Sequence, residues 1–86
     1  MFQAAEIERL IGEGLPCEFV EVKGDDGVHF SAIVVSASFE GLSLPDQHRA
    51  VKAALGNRID SGEVHALGLK TYTPARWESV RASLGY

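Results

Sequence analysis

Three histidines and one cysteine are the side chains of this sequence best suited to chemistry: His29, His48, His65 and Cys17. Imidazole can ligate a transition metal or move a proton near neutral pH, and a thiolate can ligate a metal or act as a nucleophile. Each also has an ordinary reading. A histidine on a strand or helix is most often hydrogen-bonded or at a solvent edge, and a lone cysteine is most often a small buried hydrophobe. Cys17 has no partner for an internal disulfide. The acidic pair Asp25-Asp26 could be taken for a metal site, but a solvated turn accounts for both residues. There is no nucleophile elbow, phosphate-binding P-loop, HExxH metal motif or cysteine pair. No catalytic constellation stands out, so the sequence reads as a binding module and not an enzyme.

The elements that must position these residues follow from periodicity and punctuation. Ile7, Leu10 and Ile11 sit at helical spacing within residues 3–13, with Glu6, Glu8 and Arg9 opposite, and Gly12, Gly14 and Pro16 weaken and close the helix. Residues 17–23 alternate, with Val20 and Val22 facing one way and Glu21 and Lys23 the other, as in a half-buried strand. Gly24-Asp25-Asp26-Gly27 is a turn into a second strand over residues 28–36, which predicts an antiparallel hairpin. Phe39 to Leu44 reads as an irregular connection. Pro45 suits the first turn of a helix to about Leu55, buried along Val51, Ala54 and Leu55 and ended by Gly56-Asn57. Asp60-Ser61-Gly62 turns the chain into a third strand, Val64 to Thr71. Thr73-Pro74 starts a last helix, in which Trp77, Val80 and Leu84 are spaced to lie on the sheet. The order is α-β-β-α-β-α, an α+β fold with a three-stranded mixed sheet in a single domain over residues 1–86.

One consequence bears on the histidines. Strand two, a helix and strand three form a β-α-β unit, so the two strands should run parallel through a right-handed crossover. If they are neighbours, their starting ends lie roughly 5 Å apart. His29, near the start of strand two, and His65, near the start of strand three, would then share one edge of the sheet.

Composition narrows the class. A hydrophobic content of 45% argues against disorder. The longest apolar run is Ala32-Ile33-Val34-Val35, far short of the roughly 20 residues of a membrane helix. The N-terminus MFQAAEIERL does not read as a signal peptide, and a lone cysteine gives no sign of secretion, so a cytoplasmic location is expected. The net charge of −4 and the scattered lysines and arginines do not favour a duplex-binding surface, with only Arg76 and Arg81 close enough to suggest a local patch.

The motifs His29-Phe30, Val34-Val35-Ser36, Phe39-Glu40-Gly41-Leu42, His48-Arg49-x-Val51, Val64-His65-Ala66-Leu67 and Thr71-x-Thr73-Pro74-x-x-Trp77 occur in the order and spacing of the BolA family. Together they span residues 29–77, and the flanking helix and strand match as well, so the resemblance covers nearly the whole chain. The short His-Phe after a Gly/Asp turn is similar to the acid-stress-linked bacterial branch. Two positions depart from the usual pattern: Gln47-His48-Arg49 stands where relatives often have Arg-His-Arg, and Arg76 stands where an acidic or amide residue is common.

The resemblance implies a fold like the class II KH domain and partnership with monothiol glutaredoxins. In such pairs a bridging 2Fe-2S cluster is held partly by the glutaredoxin's cysteine and glutathione. The BolA partner supplies the third-strand histidine, which maps onto His65, and a second His or Cys from the hairpin region, for which His29 is the choice over Cys17 or His48. Imidazole in place of thiolate raises a cluster's potential and makes the ligand protonatable near neutrality. The isolated domain is then expected to bind no cluster tightly and to be a monomer or weak homodimer. His48, Arg49 and Arg76 are candidates for a partner or nucleic-acid surface. A KH-like, DNA-binding transcriptional regulator is the alternative reading, resting on fold analogy.

Overall fold

The computed structural model describes residues 3–24, 29–56 and 66–86. Its elements are helix α1 (Ala4–Gly14), strands β1 (Cys17–Lys23) and β2 (His29–Ser36), a 3-10 turn (Ala37–Phe39), helix α2 (Leu44–Leu55), strand β3 (Ala66–Tyr72), helix α3 (Pro74–Val80) and a second 3-10 turn (Arg81–Leu84). The α-β-β-α-β-α order matches the periodicity of the sequence. The expected turns Asp25–Gly27 and Asp60–Gly62, together with Asn57, Val64 and His65, lie outside the described residues.

The sheet has the order β1-β2-β3. β1 pairs antiparallel with β2, with Lys23 opposite Ser31 and Cys17 opposite Ser36. β2 pairs parallel with β3, from His29–Ala66 to Val35–Tyr72. The parallel neighbours expected from the β-α-β unit are therefore present.

Alternation along β2 divides the molecule. Phe30, Ala32 and Val34 point into a core built with Ile7 and Ile11 of α1, Val51 and Leu55 of α2, Val22 of β1, and Phe39. Burying each larger side chain contributes roughly 1.5–3 kcal/mol. Ser43 starts α2 by accepting the Asp46 N–H on its hydroxyl at 3.3 Å, and Thr73 does the same for Arg76 at the start of α3, also at 3.3 Å. α2 is tied to β3 by the Thr71 hydroxyl, which donates to Gln47 Oε1 at 2.7 Å. Ser36, fully buried, donates to the Pro16 carbonyl at 2.9 Å and accepts the Ser38 N–H at 3.1 Å. These bonds satisfy polar groups that would otherwise be costly to bury.

Three expectations are corrected. α1 runs through Gly14 and does not stop before it. A Cβ at Gly14 would stand 2.5 Å from Ala54 Cβ and 2.9 Å from Ala54 Cα, so the glycine brings α1 against α2. The irregular connection starts only after Phe39, which closes the 3-10 turn Ala37–Phe39 and is completely buried. The last helix does not carry its stripe to Leu84: the chain tightens to 3-10 geometry after Val80, and Leu84 stays 38% exposed. Trp77 does lie on the sheet, stacked on Phe19 at 5.0 Å and tilted against Tyr72 at 5.6 Å and Tyr86 at 5.5 Å.

Candidate functional site

His29 is the first residue of β2 and is exposed. Its neighbour Phe30 is buried in the core and anchors the strand end, so alternation turns His29 to the opposite face, with Ser31 and Ile33. Across the sheet its register partner is Ala66. His65 directly precedes Ala66 in the chain and lies outside the described residues. A broad, shallow depression of about 700 Å³ surrounds His29, bordered by Ala4, Val22, Lys23, Gly24 and Ser31.

Gly24 holds this end of the hairpin together for a reason beyond turn formation. A Cβ there would come within 2.5 Å of Phe30 Cδ1 and 2.7 Å of the His29 carbonyl oxygen. Sequence alone marked Gly24 as a turn residue. Its role in seating His29 depends on a cross-strand approach that no local pattern reports.

The other candidates lie elsewhere. Cys17 pairs with Ser36, at the opposite end of β2 from His29 and roughly 20 Å along the strand. It is half-buried, and burial pushes its thiol above the ordinary range, which disfavours the thiolate a metal requires. His48 sits on α2 beside Gln47, which is bonded to Thr71; Thr71 is in register with Val34, five residues along β2 from His29. His48 shares a surface hollow with Leu44, Pro45, Arg49 and Lys52.

Arg49 and Arg76 do not form one patch. α2 packs on the face occupied by Thr71, whereas α3 packs on the face occupied by Tyr72, so the two arginines lie on opposite sides of the sheet. Arg49 is ion-paired with Asp46. Arg81, the expected neighbour of Arg76, pairs with Glu78 at 3.5 Å.

A polar group missed in the sequence joins Glu21, Lys23 and Tyr86. The Tyr86 hydroxyl donates to the Glu21 carboxylate, and Lys23 lies 3.4 Å from the same oxygen. The hydrogen bond from Tyr86 is the main cause holding the Glu21 carboxyl below its usual range, with Lys23 adding to it. The Glu21 carboxylate in turn raises the Tyr86 hydroxyl and the Lys23 ammonium above theirs. A contact 65 residues apart in the chain leaves no local signature.

Among the described residues, no group of three or more His, Cys, Asp or Glu side chains is placed to hold a metal ion, and no helix is long and apolar enough to cross a membrane. Among the described candidates, His29 is the one that lies beside the start of β3. It offers an imidazole at an exposed strand end that a second protein can approach, whereas Cys17 is half-buried and at the far end.

The fold and this edge define a small α+β domain with a three-stranded mixed sheet and a histidine exposed where its two parallel strands begin. The family profile described as BolA-like protein matches residues 17–76, and the chain belongs to that family. It is 35% identical over 81 residues to the acid stress protein IbaG of Escherichia coli K12, covering 94% of this chain and 95% of that one. It is 39% identical over 82 residues to human BolA-like protein 1, covering 85% of this chain; those residues span 59% of the human protein. The structure of a BolA homologue from Coxiella burnetii superposes with a TM-score of 0.75 at 40% identity, covering 91% of this chain and 99% of that one.

Proposed function

We propose that this chain pairs with a monothiol glutaredoxin and lends His65 and His29 to a bridging 2Fe-2S cluster, in iron–sulfur trafficking or iron sensing under stress. The observation that supports this reading is the parallel register of β2 and β3. It places His29, exposed, opposite Ala66, the residue that follows His65 in sequence. Membership of the BolA family supplies the partner class, and kinship to a protein named for acid stress accords with a pH-labile imidazole ligand. The cluster supplies electron transfer or iron–sulfur cargo. His29 supplies an imidazole donor on a sheet edge: Phe30 fixes the strand end and Gly24 permits its close packing. The split of Arg49 and Arg76 across the sheet gives a DNA-binding reading no comparable support.

The test is to reconstitute the chain with a glutathione-loaded monothiol glutaredoxin and follow the visible absorption and circular dichroism of the mixture. His65→Ala is expected to abolish the heterodimer spectrum, and His29→Ala to change it and hasten cluster loss. A mixed-complex spectrum and stability unchanged by His65→Ala would sink the proposal. A spectrum changed by His65→Ala but untouched by His29→Ala would remove His29 from the ligand set.

A further inference from the structure

Among the described residues, the face of the sheet that carries His29 is only half covered. Trp77 and Tyr86 close over Phe19, and Trp77 over Tyr72, at one end. Towards His29 the face opens into a groove of about 360 Å³ lined by Glu21, Lys23, Ser31, Ile33, Gly68 and Lys70, with Leu84 and Tyr86 forming a wall. The register builds its floor from two cross-strand rows, Lys23–Ser31–Gly68 and Glu21–Ile33–Lys70. That volume falls at the small end of the range for ligand sites, roughly 300–1,000 Å³.

Gly68 is unexplained by the fold. The β2–β3 register runs unbroken through it, so it marks no bulge, and its φ is not among the positive values. A Cβ built there meets only the Phe30 carbonyl oxygen, at 3.9 Å, an ordinary contact. A glycine inside a strand weakens it and often marks a place where a ligand or another backbone approaches closely. Here the bare backbone lies on the groove floor.

The charges select the occupant. Glu21 is matched by Lys23 at 3.4 Å and by the Tyr86 hydroxyl. Lys70 is exposed on the opposite strand and has no ion pair among the described residues. Between them lie Ile33, half-buried, and Leu84, 38% exposed. Among the described residues, one end of the groove therefore offers an ammonium without an ion pair, and the middle offers apolar surface above a glycine.

We infer that this groove binds a small amphipathic anion, a carboxylate or phosphate monoester with a short apolar body. The head is held by Lys70, and the body lies over Gly68 against Ile33 and Leu84. The groove begins two residues, roughly 7 Å, along β2 from His29, and binding to it needs neither glutaredoxin nor iron.

The chain alone, labelled with 15N, is titrated with phenyl phosphate and with phenylacetate, and inorganic phosphate and benzyl alcohol serve as controls. At least one aromatic anion should shift the amides of Ser31, Ile33, Gly68 and Lys70 saturably. The tighter of the two identifies the preferred head group. Lys70→Gln should weaken binding about tenfold or more, as expected for one charge-assisted contact. Gly68→Val should abolish binding while leaving the melting temperature equal or higher, because valine suits a strand and its Cβ meets no close neighbour. The inference is overturned if neither aromatic anion saturates by about 10 mM or if the shifts map elsewhere. It also falls if either control binds as well as the aromatic anions, or if both variants bind as the wild type does.

Discussion

Replacing Gly24 with alanine tests how the His29 edge is held. The added methyl carbon would stand 2.5 Å from Phe30 Cδ1, 3.0 Å from Cε1 of the same ring and 2.7 Å from the His29 carbonyl oxygen. Phe30 is 5% exposed and packed in the core, and the carbonyl belongs to a paired strand, so neither can retreat cheaply. Overpacking of this kind costs about 1–3 kcal/mol. For a domain of this size each kcal/mol is worth roughly 4–8 °C in Tm, so Gly24→Ala should lower Tm by roughly 10 °C. Gly12→Ala is the matched control. Gly12 lies exposed inside α1 with nothing within 4 Å of an added Cβ, and the same substitution there should stabilise by about 0.5–1 kcal/mol through helix propensity. Thermal unfolding followed by far-UV circular dichroism reads both variants, and amide shifts report on the edge itself. Adding Phe30→Leu to Gly24→Ala should recover part of the loss, because the ring clash is relieved and the carbonyl clash is not, giving a coupling of about 1 kcal/mol. A Gly24→Ala protein as stable as the wild type, with the His29 and Phe30 amides unmoved, would refute the reasoning.

Gly14→Ala should cost about 1–3 kcal/mol by prising α1 from α2, and Ala54→Gly in the same chain should couple to it favourably in a double-mutant cycle of urea unfolding, restoring at most part of the loss because the contact with the Ala54 Cα remains. Thr71→Val removes the 2.7 Å bond to Gln47 and should lower stability by about 1 kcal/mol, seen as a reduced urea midpoint at unchanged slope. Glu21 has a folded-state pKa lowered chiefly by the Tyr86 hydrogen bond, then by Lys23. The stabilisation from this contact is therefore present above the ordinary glutamate pKa and fades as pH falls through the lowered value. Tyr86→Phe should move the Glu21 carboxyl titration, followed by 13C NMR, upward towards the ordinary range; no movement would dismiss the contact.

Much of the fold was legible because its signals are local. Ile7 with Ile11 and Val51 with Leu55 repeat at helical spacing and are fully buried. Thr73-Pro74 announces a cap that is formed, and the end of β1 keeps the expected alternation, with Val22 buried and Lys23 exposed. What sequence left unread depends on contacts between distant segments. Gly14 looks like a helix breaker until Ala54 is placed against it, and Phe39 sits in a stretch with no period and yet fills the core. The site divides the same way. The topology that brings the beginnings of β2 and β3 together follows from a β-α-β order, so His29 could be singled out. The Glu21–Lys23–Tyr86 group and the seating role of Gly24 could not.

The failure of the last helix to continue is linked to the open face. Carried on in α-helical register, Leu84 would extend the stripe of Trp77 and Val80 along the sheet. The chain instead tightens at Arg81 and leaves Leu84 at the rim. Burial along the exposed-side residues of β2 records the result: Val35 is buried, Ile33 is intermediate, and Ser31 and His29 are exposed. One strand thus has a fixed end under the aromatic cluster and an accessible end at the histidine. Because the same β2–β3 pairing runs through both ends, a partner or ligand at the open end meets two strands that are already paired, and binding need not order them.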